Sequence, residues 1–409
     1  MNKLIARFFT LALVMSMAVC LFANAEEKQS PEKKGGISLP VGAIVEAPIN
    51  PTIVRAEGKI NFVYELHITN MSKKPINLKK IEVFGYVERE SPLVCYKAND
   101  FKDILIRLGE KPGANDNREI KPGKRAVAYI WIALDEKRLV PDKLYHRITF
   151  DEDEISRGEL AVLNVPIINV SKEKPIRIHS PLFGNGWLAA EGPININGYS
   201  HHRFGIIPFK GKAWIPQRFA IDWMKFGPDG ELFHGDPSKN ENWYCYGKKI
   251  HSVADGIVVE AMDGVPENVP LAKEKAVPMT LENICGNYAL IDIGNGHYAL
   301  YAHMIPGSVK VKKGDKVKTG QVLGLLGNSG NSTAPHLHFH ISTTPSGNLL
   351  ASEGLPFEIG SFLYEGKIPV PFECESIKGM VWKKKPGAKP VARKNEVPLG
   401  YKIYAFPEK

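Results

Sequence analysis

Between Leu39 and about residue 175, apolar and polar residues alternate in short runs: "KINFVYELHITNMS", "INLKKIEVFGYV", "RAVAYIWIAL", "LYHRITFDE" and "ELAVLNVPIINVS". A period of two sends successive side chains to opposite faces of an extended chain, and the Pro, Gly, Asn and Lys-Pro breaks between runs mark turns. Residues 39–175 are therefore expected to form a β-sandwich. Strand text resumes over residues 176–365 in "RFAIDWMKF", "KIHSVADGIVVEAMDG", "NYALIDIGNGHYALYAHM", "SVKVKKGDKVKTGQVLGLLGNSG" and "HLHFHIS", with hairpin turns at 294–297 and 314–315. No long amphipathic helical pattern occurs between 200 and 345. The expected class is all-β, an N-terminal β-sandwich followed by a core domain built on an antiparallel β-sheet. His67 and His146 fall inside strand patterns of the first domain, where structural roles are expected, and no catalytic constellation is found there.

The two ends of the chain read differently. Lys3 and Arg7, an apolar run from Phe8 to Phe22 and the small-residue end Ala23-Asn24-Ala25 have the form of a signal peptide over residues 1–25. Val19 is branched where a lipoprotein site before Cys20 needs a small residue. Residues 26–38, "EEKQSPEKKGGIS", are charged and poor in apolar residues, as in a flexible leader. The reading is an exported protein of the periplasm or cell envelope. Residues 366–409 form a basic C-terminal extension, with ten Lys/Arg against four Glu, in which "LPFEIGSFLYEG" just before and "VPLGYKIYAF" within offer further strands.

At 409 residues, 44% hydrophobic and 24% charged, the chain has the composition of a globular protein of two or three domains. Its net charge of +9 suits an anionic partner. In an exported protein that means a wall polymer or lipid headgroups, contacted through the basic tail with Trp382, and no nucleic acid. Beyond the signal, Cys95, Cys245, Cys285 and Cys374 allow one or two disulfides in an oxidising compartment. Cys245 and Cys285 bracket one inserted region and are the expected pair. None of the spacings is C-x-x-C, which argues against a four-cysteine zinc site.

The stretch "APHLHFHIS", residues 334–342, carries the chemistry. In an extended chain His336, His338 and His340 share one face, and Leu337, Phe339 and Ile341 the other. Imidazoles projecting together from a rigid strand suit zinc, which prefers nitrogen and sulfur ligands in a tetrahedral shell.

From about 200 to 345 the chain resembles the core domain of the lysostaphin/LytM-type zinc metallopeptidases, which cut peptide cross-links of bacterial peptidoglycan. The residues that carry the resemblance are "AIDW" holding Asp222, "VADGIVV" at 253–259, "HYALYAHM" holding His303, "VKKGDKVKTGQVLGLLGNSGNST" at 311–333 and "PHLHFHIS" at 335–342. The resemblance implies a LytM-like peptidase domain over residues 176–365 with one Zn2+ per chain. It implies Asp222 and His338 as zinc ligands, and His336 and His303 flanking a water that attacks the peptide carbonyl. His340, one step farther along the same face, is assigned to packing or to support of the site from behind. Long loops at 226–249 and 264–287 are expected to rim the groove, with His234 and His251 as surface residues.

One position departs from the family. Its first ligand is a histidine four residues before the aspartate, and here that position is Arg218. A guanidinium has no lone pair to give a metal, so a salt bridge from Arg218 to Asp222 is expected instead. Three outcomes follow. His201 or His202 of "YSHHRF" folds back as the replacement ligand; two protein ligands and waters hold the metal; or the domain has no catalytic metal and serves to bind the wall or activate another hydrolase.

Overall fold

The computed structural model describes residues 39–87, 90–109, 118–153, 156–194, 200–204, 206–344, 352–369 and 374–408. The expected signal peptide and leader lie outside these residues. The all-β expectation holds: helices among the described residues are short, such as Phe101–Ile104 and His201–Phe204, and none is long and apolar enough to cross a membrane.

Two antiparallel sheets form the N-terminal sandwich. In the first, Lys59–Asn70 lies between Ala43–Glu46 and Arg125–Asp135, which in turn pairs with Leu105–Arg107. In the second, Lys143–Phe150 pairs with Ile76–Gly85, and Val94–Lys97 pairs on the far side of the latter. The alternation seen in the sequence fills the space between them. Phe62, Tyr64, Leu66 and Ile68 meet Leu78, Ile81, Val83, Ile148 and Phe150, and all nine are fully buried. His146 lies in the same interior. Its Nδ1 is 2.5 Å from Pro166 O and its Nε2 2.8 Å from Tyr64 Oη, so the neutral ring donates to the carbonyl and accepts from the phenol.

The odd-numbered face of Lys59–Asn70 is buried too, because the rest of the protein packs on it. Val63, together with Val54 and Ala56, belongs to the larger apolar core of the C-terminal half. That half is built on a ten-stranded sheet in the order Lys316–Val317, Gly256–Met262, Asn287–Asp292, Tyr298–Met304, Leu337–Ser342, Ile221–Lys225, Gly184–Ala189, Lys402–Phe406, Phe362–Lys367, Val391–Arg393. Leu337, Phe339 and Ile341 enter its core beside Ile221, Trp223 and Tyr301. The period of two then leaves Asp222, His338 and His340 on the opposite face.

Two expectations are corrected here. Residues 366–409 are not a separate basic extension, because Lys402–Phe406 is an inner strand, pairing Tyr404 with Trp187 on one side and with Tyr364 on the other. Ile403, Tyr404 and Phe406 are buried in the main core, and apolar burial of this kind outweighs the charge of the flanking residues. Trp382 is likewise occupied, its ring 5.8 Å from that of Phe226. Nor does Cys245 pair with Cys285. Cys245 is a buried thiol whose Sγ donates to Pro335 O at 3.0 Å, and burial pushes its pKa up to about 12.

Candidate metal centre

Strand register brings the first two groups together. Asp222 sits directly opposite His338 on the neighbouring antiparallel strand, and Ala302 flanks His338 on the other side. His338 Nδ1 lies 2.8 Å from Asp222 Oδ1. The third group comes from outside the sheet, on the helical turn His201–Phe204, where His201 Nε2 lies 3.1 Å from the same oxygen. Ligand atoms of His201, Asp222 and His338 all fall within 4.8 Å of one another. His336 Nε2 approaches Asp222 Oδ2 at 3.3 Å, and the His303 ring lies 4.8 Å from that of His336.

Each imidazole is held in a defined orientation. His303 Nδ1 is 2.8 Å from Ser329 O, and His336 Nδ1 is 2.8 Å from Ala334 O. A carbonyl accepts only, so both rings carry a proton on Nδ1; Nε2 of His303 is left to face the cavity, and Nε2 of His336 faces Asp222 Oδ2. His303 achieves this from a left-handed backbone at φ +66°, a conformation uncommon outside glycine that costs about 1–3 kcal/mol. His338 Nε2 lies 2.9 Å from His340 Nδ1. The ionised Asp222 carboxylate accepts only, so His338 Nδ1–H donates to it and His338 Nε2 accepts from His340 Nδ1–H; a metal ion at this point would replace the Nδ1 proton, with Nε2–H then turned to His340.

Burial raises the energy of charge in this site, and the neighbours decide who bears it. Burial alone would raise the Asp222 pKa, but His336, His201 and His338 hold its carboxyl well below the usual range. Burial lowers His303 and His340 well below an ordinary histidine and lowers His338 as well. For His201 burial acts the same way but loses to Asp222 and Glu191, which push its pKa up to about 9.

The residues fit a metal ion. His201 Nε2 is buried and close to Asp222 without being aligned for a hydrogen bond, as expected of two donors aimed at a common point rather than at each other. Two imidazoles and one carboxylate match zinc's ligand preference and leave coordination positions for water and substrate. The cavity beside them measures about 330 Å³ and is walled by Glu191, Gln217, Cys285, Asn331, Thr333 and Ile377.

Other sequence-derived candidates go elsewhere. Arg218 does not bridge to Asp222: it forks onto Glu65 of the sandwich at 2.9 and 3.1 Å and reaches Glu353 at 2.8 Å, because those carboxylates neutralise it where it is buried. His202 points away from the centre, its ring 5.6 Å from that of Tyr129. His234 packs on Tyr244 and His251 bonds Gly320 O, both apart from the cavity. The loop at 264–287 contributes Ile284 and Cys285 to the wall, whereas among the described residues none from 226–249 lines it. Glu191, Gln217 and the carbonyls of Ser329 and Ala334 carried no signal in the sequence, since a lone polar residue or a backbone oxygen has no pattern to betray it.

Residues 243–349 match the model of Peptidase family M23. Peptidoglycan DD-endopeptidase ShyA of Vibrio cholerae is 36% identical over 95 residues, which cover 23% of this chain and 17% of that protein. Glycyl-glycine endopeptidase ALE-1 of Staphylococcus capitis is 43% identical over 68 residues, 17% of this chain and 18% of its own. The chain thus spans less than a fifth of these two relatives. Among solved structures, the catalytic domain of lysostaphin from Staphylococcus simulans aligns at 22% identity over 42% of this chain and 88% of that one, with a TM-score of 0.23.

Proposed function

We propose that this chain, through the peptidase family M23 domain it carries at residues 243–349, is an exported zinc-dependent endopeptidase that hydrolyses peptide cross-links of peptidoglycan. The observation that carries the reading is the convergence of His201, Asp222 and His338 next to two histidines whose Nδ1 protons are tied to backbone carbonyls, so that each ring turns its Nε2 inward. Decay of catalysis would leave such an arrangement without a use. The substrate class rests on the similarity to the peptidoglycan endopeptidases ShyA and ALE-1, and export on the signal-like residues 1–25.

His201, Asp222 and His338 would hold the ion. Zinc bound there supplies a Lewis acid that polarises the scissile carbonyl and acidifies water. Nε2 of His336 or His303 accepts a proton from the attacking water as its oxygen bonds to the carbonyl carbon. The protonated ring then returns that proton to the amine nitrogen as the C–N bond breaks. The second histidine steadies the negative charge on the tetrahedral oxygen. Ser329 O and Ala334 O preserve this tautomer by accepting the Nδ1–H of each ring. Arg218 is accounted for by its ion pairs with Glu65 and Glu353, so the displaced family ligand does not argue for a lost activity.

Elemental mass spectrometry of the chain from residue 26, before and after zinc reconstitution, tests the reading together with release of soluble fragments from purified sacculi. About one zinc per chain, lost in His338→Ala and in His201→Ala along with hydrolysis, is expected. A reconstituted protein without zinc, or a zinc protein that leaves sacculi intact, would overturn the enzyme reading.

A further inference from the structure

His202 turns from the metal centre into the N-terminal sandwich. Its ring meets that of Tyr129 edge-on at 5.6 Å and that of Trp131 at 6.2 Å, and its Nδ1 lies 2.6 Å from Ser200 Oγ. Tyr129 and Trp131 stand on the outer face of strand Arg125–Asp135; the alternate residues Ala126, Ala128, Ile130 and Ile132 fill the sandwich's own core. Val127, on that outer face, packs with Tyr129 and Ile215, and Ile206 lies against the same cluster. His202, Ile206 and Ile215 thus all rest on the sandwich. Arg218, three residues farther, is clamped to Glu65 of the adjoining strand.

Neighbouring residues of a helical turn project about 100° apart, so seating one of them fixes where the other points. With His202 in the aromatic seat, His201 is aimed at Asp222. This explains how a four-residue turn, too short to be stable alone, holds a ligand still.

We propose that the N-terminal sandwich is a structural part of the metal centre: by seating His202 against Tyr129 and Trp131 it positions His201 as the ligand that replaces the family histidine absent at Arg218. The inference rests on the reading of His201, Asp222 and His338 as a metal site. His202 is a positioning residue. Because seating and ligation share one turn, docking of the sandwich and binding of the metal strengthen each other by the same factor.

The test uses the full mature chain and two readouts, the zinc dissociation constant by chelator competition and the visible absorption of the Co2+-substituted protein. His202→Ala is expected to weaken zinc binding about 10–100-fold, the usual effect of losing a group that orients a ligand. Its Co2+ spectrum should change as one nitrogen donor leaves. His202→Phe keeps the ring packing without the ring nitrogens and should recover most of the affinity. Tyr129→Leu, made on the sandwich side, should weaken binding as well, and decides the matter if His202→Ala does not fold. Wild-type affinity and spectrum in His202→Ala and Tyr129→Leu would overturn the role of the sandwich while leaving the metal site standing. A wild-type chain that binds no zinc would instead remove the metal-site reading, and this inference with it.

Discussion

Arg218 and Glu65, 153 residues apart in the chain, form a buried two-pronged ion pair, with Nε 2.9 Å from Oε1 and Nη2 3.1 Å from Oε2. Both side chains are almost wholly withdrawn from solvent, and Glu353 and the Gly354 carbonyl take the remaining Nη1 donor. A position that holds a metal ligand in the resembling family is here a bolt between the sandwich and the sheet domain. The planar fork of arginine suits that task as lysine would not.

Breaking this pair from one side should be severe. Arg218→Met leaves the Glu65 carboxylate buried without a counter-charge, and losses of about 3–5 kcal/mol are typical of that situation. Urea denaturation of the full chain measures it. The double substitution Glu65→Leu with Arg218→Met should recover much of the loss, since the expensive species is the lone buried charge. A single-variant loss below about 1 kcal/mol, the scale of a surface pair, would mean that solvent reaches Glu65 after all.

His340 should tune metal affinity without touching the metal. Its Nδ1 lies 2.9 Å from His338 Nε2, placed to accept from that atom once a metal ion takes the Nδ1 lone pair of His338, and its own Nε2 is buried without a hydrogen-bond partner. Its burial is therefore tolerated for what Nδ1 does. His340→Phe removes the acceptor, frees the His338 ring to take the wrong tautomer, and is expected to weaken zinc about 10–100-fold in chelator competition. Unchanged affinity would reduce His340 to packing alone.

The sandwich should lose stability in mild acid. Burial lowers His146 to about 4, with its hydrogen bond to Pro166 O opposing the shift. In the unfolded chain a histidine takes its proton near pH 6.5, so between roughly 6.5 and 4 the unfolded state binds the extra proton. The contribution is therefore complete above about pH 6.5 and declines as pH falls through that window, by up to about 1.4 kcal/mol per unit. Urea midpoints followed by circular dichroism from pH 7.5 to 5 should show the fall, and His146→Gln should flatten it.

Cys245 should be chemically silent in the native protein. Its thiol is buried, donates to Pro335 O, and is pushed up to about 12 by burial, so almost no thiolate is present near neutral pH. Alkylation followed by peptide mass mapping should leave it unmodified until denaturant is added. Rapid modification of the native protein would place it at a surface.

The sequence by itself determined what has a local cause. Alternation over "HLHFHIS" put three histidines on one strand face and Leu337, Phe339 and Ile341 in the core, because a period of two follows from the geometry of one extended chain. Gly- and Pro-marked runs exposed the all-β class for the same reason. Spacing along a family pattern reached Asp222 and His303, and a missing ligand at Arg218 directed attention to His201 and His202. Only the tertiary structure chose between those adjacent histidines. The choice turns on Tyr129 and Trp131, far earlier in the chain, which seat one ring and so aim the other. It likewise gave Arg218 to Glu65 rather than to Asp222, and drew Lys402–Phe406 into the sheet beside Gly184–Ala189. Charge and burial at each of these places are set by neighbours distant in the chain, and nearness in sequence, which had paired Cys245 with Cys285, carries no account of them.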